Sequence, residues 1–117
     1  MYKYTGSCIF NLVKGIEFLG ASLKIIREFP MRAKSEAGFQ LDRVQHGLDP
    51  TDWKPMKSVG QGMREIRIQC EGQYRVIYVA AFDEIIYVLH AFQKKTRKTS
   101  KQDLDVAKRA FKEVLEK

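Results

Sequence analysis

Apolar residues along this chain shift between a spacing of two and a spacing of three and four, and each shift marks an element. Residues 15–19, Gly-Ile-Glu-Phe-Leu, alternate and predict a short strand with Ile16 and Phe18 on one face. Leu19, Leu23 and Ile26 then fall at i, i+4 and i+7, which predicts a helix over 21–28. Pro30 ends it, because a proline disfavours the α conformation in the residue before it. The same proline suits the first turn of a second helix, predicted over 31–46. Ala33, Ala37, Leu41, Val44 and Leu48 make its apolar face, and Gly47 is its stop signal. So short a connection predicts an antiparallel helical hairpin. Gly38 either weakens the second helix, by about 1 kcal/mol relative to alanine, or permits close packing on a sheet.

Residues 48–62 read as a loop, with Asp49-Pro50, Lys54-Pro55, Gly60 and Gly62 as breakers. Trp53, the single tryptophan, is expected to plug an edge of the core. Three strands follow. In 63–70, Arg64, Ile66 and Ile68 share one parity, and Glu65, Arg67 and Gln69 the other. Glu71-Gly72 is a hairpin turn, 74–82 is apolar on both faces apart from Arg75, Asp83-Glu84 turns again, and 85–92 is the third strand. Two hairpins in succession predict an antiparallel meander. The last helix, 101–116, opens on Ser100 and Asp103 in a serine-x-x-acid cap, with a stripe of Leu104, Ala107, Ala110, Phe111, Val114 and Leu115. The class is α+β: an N-terminal helical hairpin packed on an antiparallel sheet, with a C-terminal helix. The 117 residues make one domain over 14–117, preceded by an extension or extra strand over 1–13.

Charge changes this picture more than composition does. The net charge is +7, and the segment 54–101 carries 10 basic and 4 acidic residues, so +6 of the +7 lies there. Concentrated positive charge favours a polyanionic partner, since each phosphate contact releases counterions. Cys8 and Cys70 lack metal-ligand spacing and are expected as free thiols. The apolar patch 8–13 is too short for a secretory leader, and no run approaches a membrane span, which places the expected location in the cytoplasm.

No glycine-rich phosphate loop or nucleophile motif is present, His46 and His90 have no ligand-spaced partner, and no cofactor is implied. What remains is a cationic set with one imidazole: Arg64, Arg67, Arg75, His90, Lys94, Lys95, Arg97 and Lys98, with Lys54 and Lys57 flanking Trp53. That set suits metal-free RNA cleavage, in which the ribose 2′-oxygen attacks the adjacent phosphate. Arginine forks stabilise the phosphorane, and a histidine, or a lysine whose pKa neighbouring cations lower, moves protons. Arg75 is the most telling member, because a charge inside a strand must pair or serve a site.

The strand motifs Arg64-Glu65-Ile66-Arg67-Ile68, Tyr74-Arg75-Val76-Ile77-Tyr78 and Tyr87-Val88-Leu89-His90-Ala91-Phe92-Gln93-Lys94-Lys95-Thr96-Arg97-Lys98-Thr99, in that order, resemble the phage-derived, HigB-type branch of the RelE/ParE toxin superfamily. The likeness covers residues 14–117. It implies the toxin of a type II toxin–antitoxin pair that cuts messenger RNA on the ribosome without a metal and is neutralised by a helix-turn-helix antitoxin. By position it implies catalytic roles for Arg75 and Arg67, cations at Lys94 and Lys95, and a branch histidine at His90. Arg64, Lys54, Lys57, Arg97 and Lys98 are then expected to grip the RNA backbone. The chain has no short tail ending in a catalytic tyrosine or histidine, so the general base stays open. Two rival readings keep the fold: a ParE-like protein that poisons gyrase, and a phage module that binds nucleic acid without turnover.

Overall fold

The computed structural model describes residues 13–57, 59–80 and 84–116. The expectation for residues 1–13, apart from Val13, therefore lies outside the described residues. A five-stranded sheet in the order β1-β5-β4-β3-β2 forms the middle layer. Its strands are β1 (Gly15–Phe18), β2 (Trp53–Pro55), β3 (Met63–Gln69), β4 (Gln73–Val79) and β5 (Ile85–Lys94). Helices α1 (Ser22–Arg27) and α2 (Met31–Gln45) follow β1, and α3 (Lys101–Leu115) ends the chain.

The sheet is mixed, which corrects the antiparallel expectation. β2, β3, β4 and β5 pair antiparallel, but β1 lies parallel to β5, with Ile16 opposite Ile86 and Phe18 opposite Val88. Alternation identifies a strand but not its direction; α1 and α2 carry the chain from β1 at one edge to β2 at the other, and the meander through β3 and β4 brings β5 back alongside β1 in the same direction. The helical pair is also not the N-terminal unit, because β1 precedes it. Each of its helices packs on the sheet more than on the other: α1 lies on β5 and α2 on β3. Ser22 fastens α1 by donating its hydroxyl to the Val88 carbonyl at 3.3 Å.

Each face of the sheet has its own core. On one face Ile66, Ile68, Tyr74, Val76, Tyr78, Ile86, Val88 and Ala91 pack against Ile26, Phe29, Ala33, Ala37, Leu41 and Val44. On the other, Met63, Ile77, Val79, Leu89 and Phe92 pack against Ala107, Ala110 and Val114 of α3, with Leu19 and Met56 at the border. The predicted stripe of Leu19, Leu23 and Ile26 is thus split: Leu19 precedes α1 and joins the α3 face. Two members of the predicted stripes are exposed: Leu48, which lies past the end of α2, and Leu115, the last residue of α3. Gly38 makes no close contact; a Cβ there would meet nothing within 4 Å, so it does not serve helix–sheet packing.

Part of the predicted 48–62 loop is strand β2, which pairs Trp53, Lys54 and Pro55 with Ile66, Glu65 and Arg64. Prolines demote such a stretch by pattern, but Pro55 sits on an edge strand, where a missing N–H is tolerated. The strand predicted over 74–82 ends at Val79, and residues 81–83 lie outside the described residues. β5 runs two residues further than predicted, to Lys94. It also carries a bulge: Val88 faces Tyr78 but His90 faces Ile77, so Leu89 is the extra residue. An extra residue shifts the alternation by one. Tyr87 and Leu89 point to the α3 face before the bulge, and His90 and Phe92 point to that same face after it.

Candidate RNA-cleaving site

The α3 face is only partly covered by α3. The helix begins over the row Glu65–Ile77–His90, and two rows beyond it remain: Arg67 opposite Arg75 opposite Phe92, and Gln69 opposite Gln73 opposite Lys94. The β5 bulge is what brings Lys94 here. Unbroken alternation from Tyr87 and Leu89 would put Ala91 and Gln93 on this face and Lys94 on the other.

Arg75 stands at the centre, on the middle strand, and is only 6% exposed. Its Nη1 donates to its neighbour's carbonyl, Tyr74 O, at 3.0 Å and to Gln73 Oε1 at 3.3 Å. Its Nε lies 3.7 Å from Glu65 Oε1. Burial pushes the guanidinium below its ordinary pKa, Glu65 pulls it back up, and Arg67 opposite pushes it down again. It nonetheless stays charged at any physiological pH. Two arginines directly across a strand pair repel, and each has its own carboxylate. Arg67 donates from Nε to Asp52 Oδ1 at 3.0 Å, and its Nη2 lies 2.9 Å from the same oxygen.

Lys94 is half-buried, and its amine is held below the ordinary lysine range, first by burial and then by Arg75, with Lys54 and Arg67 adding to the effect and Glu65 opposing it. Lys54 of β2 reaches the same centre, 3.8 Å from Glu65 Oε1. Past Lys94 the chain turns, with the Thr96 hydroxyl donating to the Lys98 carbonyl at 2.6 Å, and leaves Lys95, Arg97 and Lys98 exposed. Phe92, Lys94, Lys95, Lys98, Ser100 and Asp103 line a cleft of about 180 Å³.

His90 is buried, at 7% exposure, with Nε2 2.8 Å from Asp103 Oδ1 and its ring stacked on Phe92 at 5.3 Å between centroids. Asp103 is also the acid of the α3 cap. Its backbone N–H donates to Ser100 Oγ at 3.1 Å, and the Ser100 hydroxyl donates to Asp103 Oδ2 at 2.7 Å. The histidine thus joins β5 to the start of α3 rather than pointing into the open rows.

Arg64 is not brought to this site. Odd and even positions of β3 face opposite ways, and Arg64 lies on the α1–α2 face. There it pairs with Asp49 at 2.9 Å and stacks over Trp53 at 4.0 Å from the ring centroid. Lys57 is exposed in the turn after β2. The site therefore gathers Lys54, Arg67, Arg75 and Lys94, with Lys95, Arg97 and Lys98 at its rim. Three members were not singled out in the sequence: Glu65, Asp52 and Thr99. For Glu65 the signal was its parity with Met63 and Arg67, which puts it on a face that also buries Ile77 and Val79. Nothing in the sequence pairs Asp52 with Arg67. Among the described residues no three histidine, cysteine or acidic side chains converge as metal ligands, and no helix is long and apolar enough to cross a membrane.

The chain is thus an α+β protein whose helix-flanked sheet holds a buried arginine among lysines on its open rows. Residues 24–112 match the phage-derived protein Gp49-like (DUF891) family, and this chain belongs to that family, which is RelE-like and toxin-like. No curated protein matches the chain.

Proposed function

We propose that this chain is a HigB-type toxin of a type II toxin–antitoxin pair, a metal-free endoribonuclease that cuts messenger RNA on the ribosome in the cytoplasm. A helix-turn-helix antitoxin is its partner. The observation that carries this reading is Arg75, a nearly buried guanidinium on the central strand, flanked on one face by Lys94, Lys54 and Arg67.

In this reading the neutral amine of Lys94 takes the proton of a ribose 2′-hydroxyl. The 2′-oxygen attacks the adjacent phosphorus, and the bond from phosphorus to the 5′-oxygen breaks, leaving a 2′,3′-cyclic phosphate. The ammonium of Lys95 returns a proton to the departing 5′-oxygen. Arg75 and Arg67 stabilise the extra negative charge of the phosphorane, where preorganised donors act most strongly. Lys54, Lys57, Arg97 and Lys98 hold the backbone. Burial and the bond to Asp103 give His90 a positioning role: it fixes the segment that follows Lys94.

Induced expression in a bacterial host, with mapping of messenger RNA 5′ ends, tests the reading. New 5′-hydroxyl ends within coding regions are expected within minutes of induction. Intact transcripts alongside DNA damage would overturn it in favour of a gyrase poison, and intact transcripts with RNA bound would leave a module without turnover.

A further inference from the structure

Glu65 is the one fully buried acid among the described residues. Three separate elements meet at its carboxylate: Lys54 from β2 at 3.8 Å, Arg75 from β4 at 3.7 Å, and the segment before α3, where the Thr99 hydroxyl donates to Oε2 at 3.3 Å. Yet Oε1 accepts no hydrogen bond, and neither does Arg75 Nε donate one. The pair is buried and sits just outside hydrogen-bonding distance. Such a pair is a poor source of stability, since desolvation of both charges offsets their attraction, and apolar residues of the same size often serve the fold as well. Its use must be sought in what it orients.

The geometry of Arg75 supplies the answer. Its Nε edge is turned to Glu65, and Nη1 is committed to Tyr74 and Gln73. The end left to meet a phosphate oxygen is Nη2. Thr99 belongs to the same connection as Lys95, Arg97 and Lys98, so the carboxylate that turns the arginine also ties down the rim.

Resting on the nuclease reading above, we propose that Glu65 is a positioning residue of the site: it aims Arg75 at the scissile phosphate and holds the basic 95–100 segment at a fixed distance from it. A misplacement of about 1 Å at such a group costs on the order of a hundredfold in rate. Turning the arginine is a matter of orientation and belongs in kcat; the tie to Thr99 bears on binding, and a glutamine at position 65 keeps an oxygen that can accept the Thr99 hydroxyl.

The test is Glu65→Gln in the full chain, which keeps the shape and removes the charge. With a model RNA, kcat is expected to fall by about tenfold or more, with KM within about threefold. Two readouts do not depend on turnover. The NMR signal of the Arg75 Nε–H should shift and broaden. The side-chain titration of Lys94 should also move to lower pH, because the carboxylate that opposes its depression is gone. Unchanged kcat with both signals unmoved would overturn the proposal. A wild-type protein that cuts no RNA would overturn the nuclease reading alone, and the two NMR signals would still decide whether Glu65 orders Arg75. Should Glu65→Gln fail to fold, Thr99→Val removes only the hydroxyl. It should weaken RNA binding severalfold as the basic segment loosens, and wild-type affinity in that variant would count against the tie.

Discussion

A guanidinium in the middle of a sheet must be paired or used, and Arg75 is paired only loosely. Its neighbour Arg67 is paired closely, with Nε hydrogen-bonded to Asp52 Oδ1 and Nη2 2.9 Å from the same oxygen. On the nuclease reading proposed above, that carboxylate competes with an RNA phosphate for the Arg67 guanidinium. Asp52→Asn is therefore expected to release Arg67 and strengthen RNA binding severalfold at low salt. The slope of log K against log salt should steepen by about 0.7, the increment for one more phosphate contact on a single strand. A salt titration by fluorescence anisotropy measures both. Lys94 gives a second expectation at this scale. Its pKa is depressed, so its neutral form appears at lower pH than in an ordinary lysine. The cleavage rate should rise with pH and level off below the usual lysine range, and Lys94→Arg should lose that limb of the profile. Arg75 was legible in the sequence as a charge inside an apolar strand. The pairs Glu65–Arg75 and Asp52–Arg67 were not, because they depend on which residues face each other across strands, and a single sequence carries no register.

At the scale of elements, the helices, four of the strands and the α3 cap follow from spacing and capping chemistry. Three features escaped that reasoning. The direction of β1 relative to β5 is set by the path of the chain between them, β2 is hidden by Pro55, and the bulge at Leu89 is invisible to a count of alternating residues. The bulge matters most, because it turns Phe92 and Lys94 toward the open rows and His90 toward Asp103 at the start of α3. Glycines separate helix propensity from packing. Gly38 is exposed within α2 and a Cβ there meets nothing, so Gly38→Ala should raise stability by about 1 kcal/mol. Gly60 faces α3, and a Cβ there would lie 2.5 Å from Met63 Sδ and 2.8 Å from the Phe111 ring. Gly60→Ala should lower stability by about 1–3 kcal/mol, the usual range for overpacking. Urea denaturation of the two variants should move in opposite directions.

Across the whole molecule, one layer of strands separates two jobs. The face under α1 and α2 is covered and holds Arg64 in a local pair. The face under α3 is left open at the tips of β3, β4 and β5, and there the sheet carries its cations. Residues 54–101 carry +6 of the net +7, and Lys54, Arg67, Arg75, Lys94, Lys95, Arg97 and Lys98 of that segment lie on or beside the open rows, while Arg64 lies on the other face. The charge excess was plain in the sequence. Its division between two faces was partly so, from the parity of Arg64 against Arg67. The most direct measurement is made with purified protein and a short single-stranded messenger RNA, in EDTA, on the ribosome and off it, with the product termini identified. The account predicts 2′,3′-cyclic phosphate and 5′-hydroxyl ends whose yield falls at least a hundredfold in Arg75→Ala, with the fold intact by circular dichroism. Undiminished cleavage in Arg75→Ala, or products ending in 5′-phosphate, would contradict it.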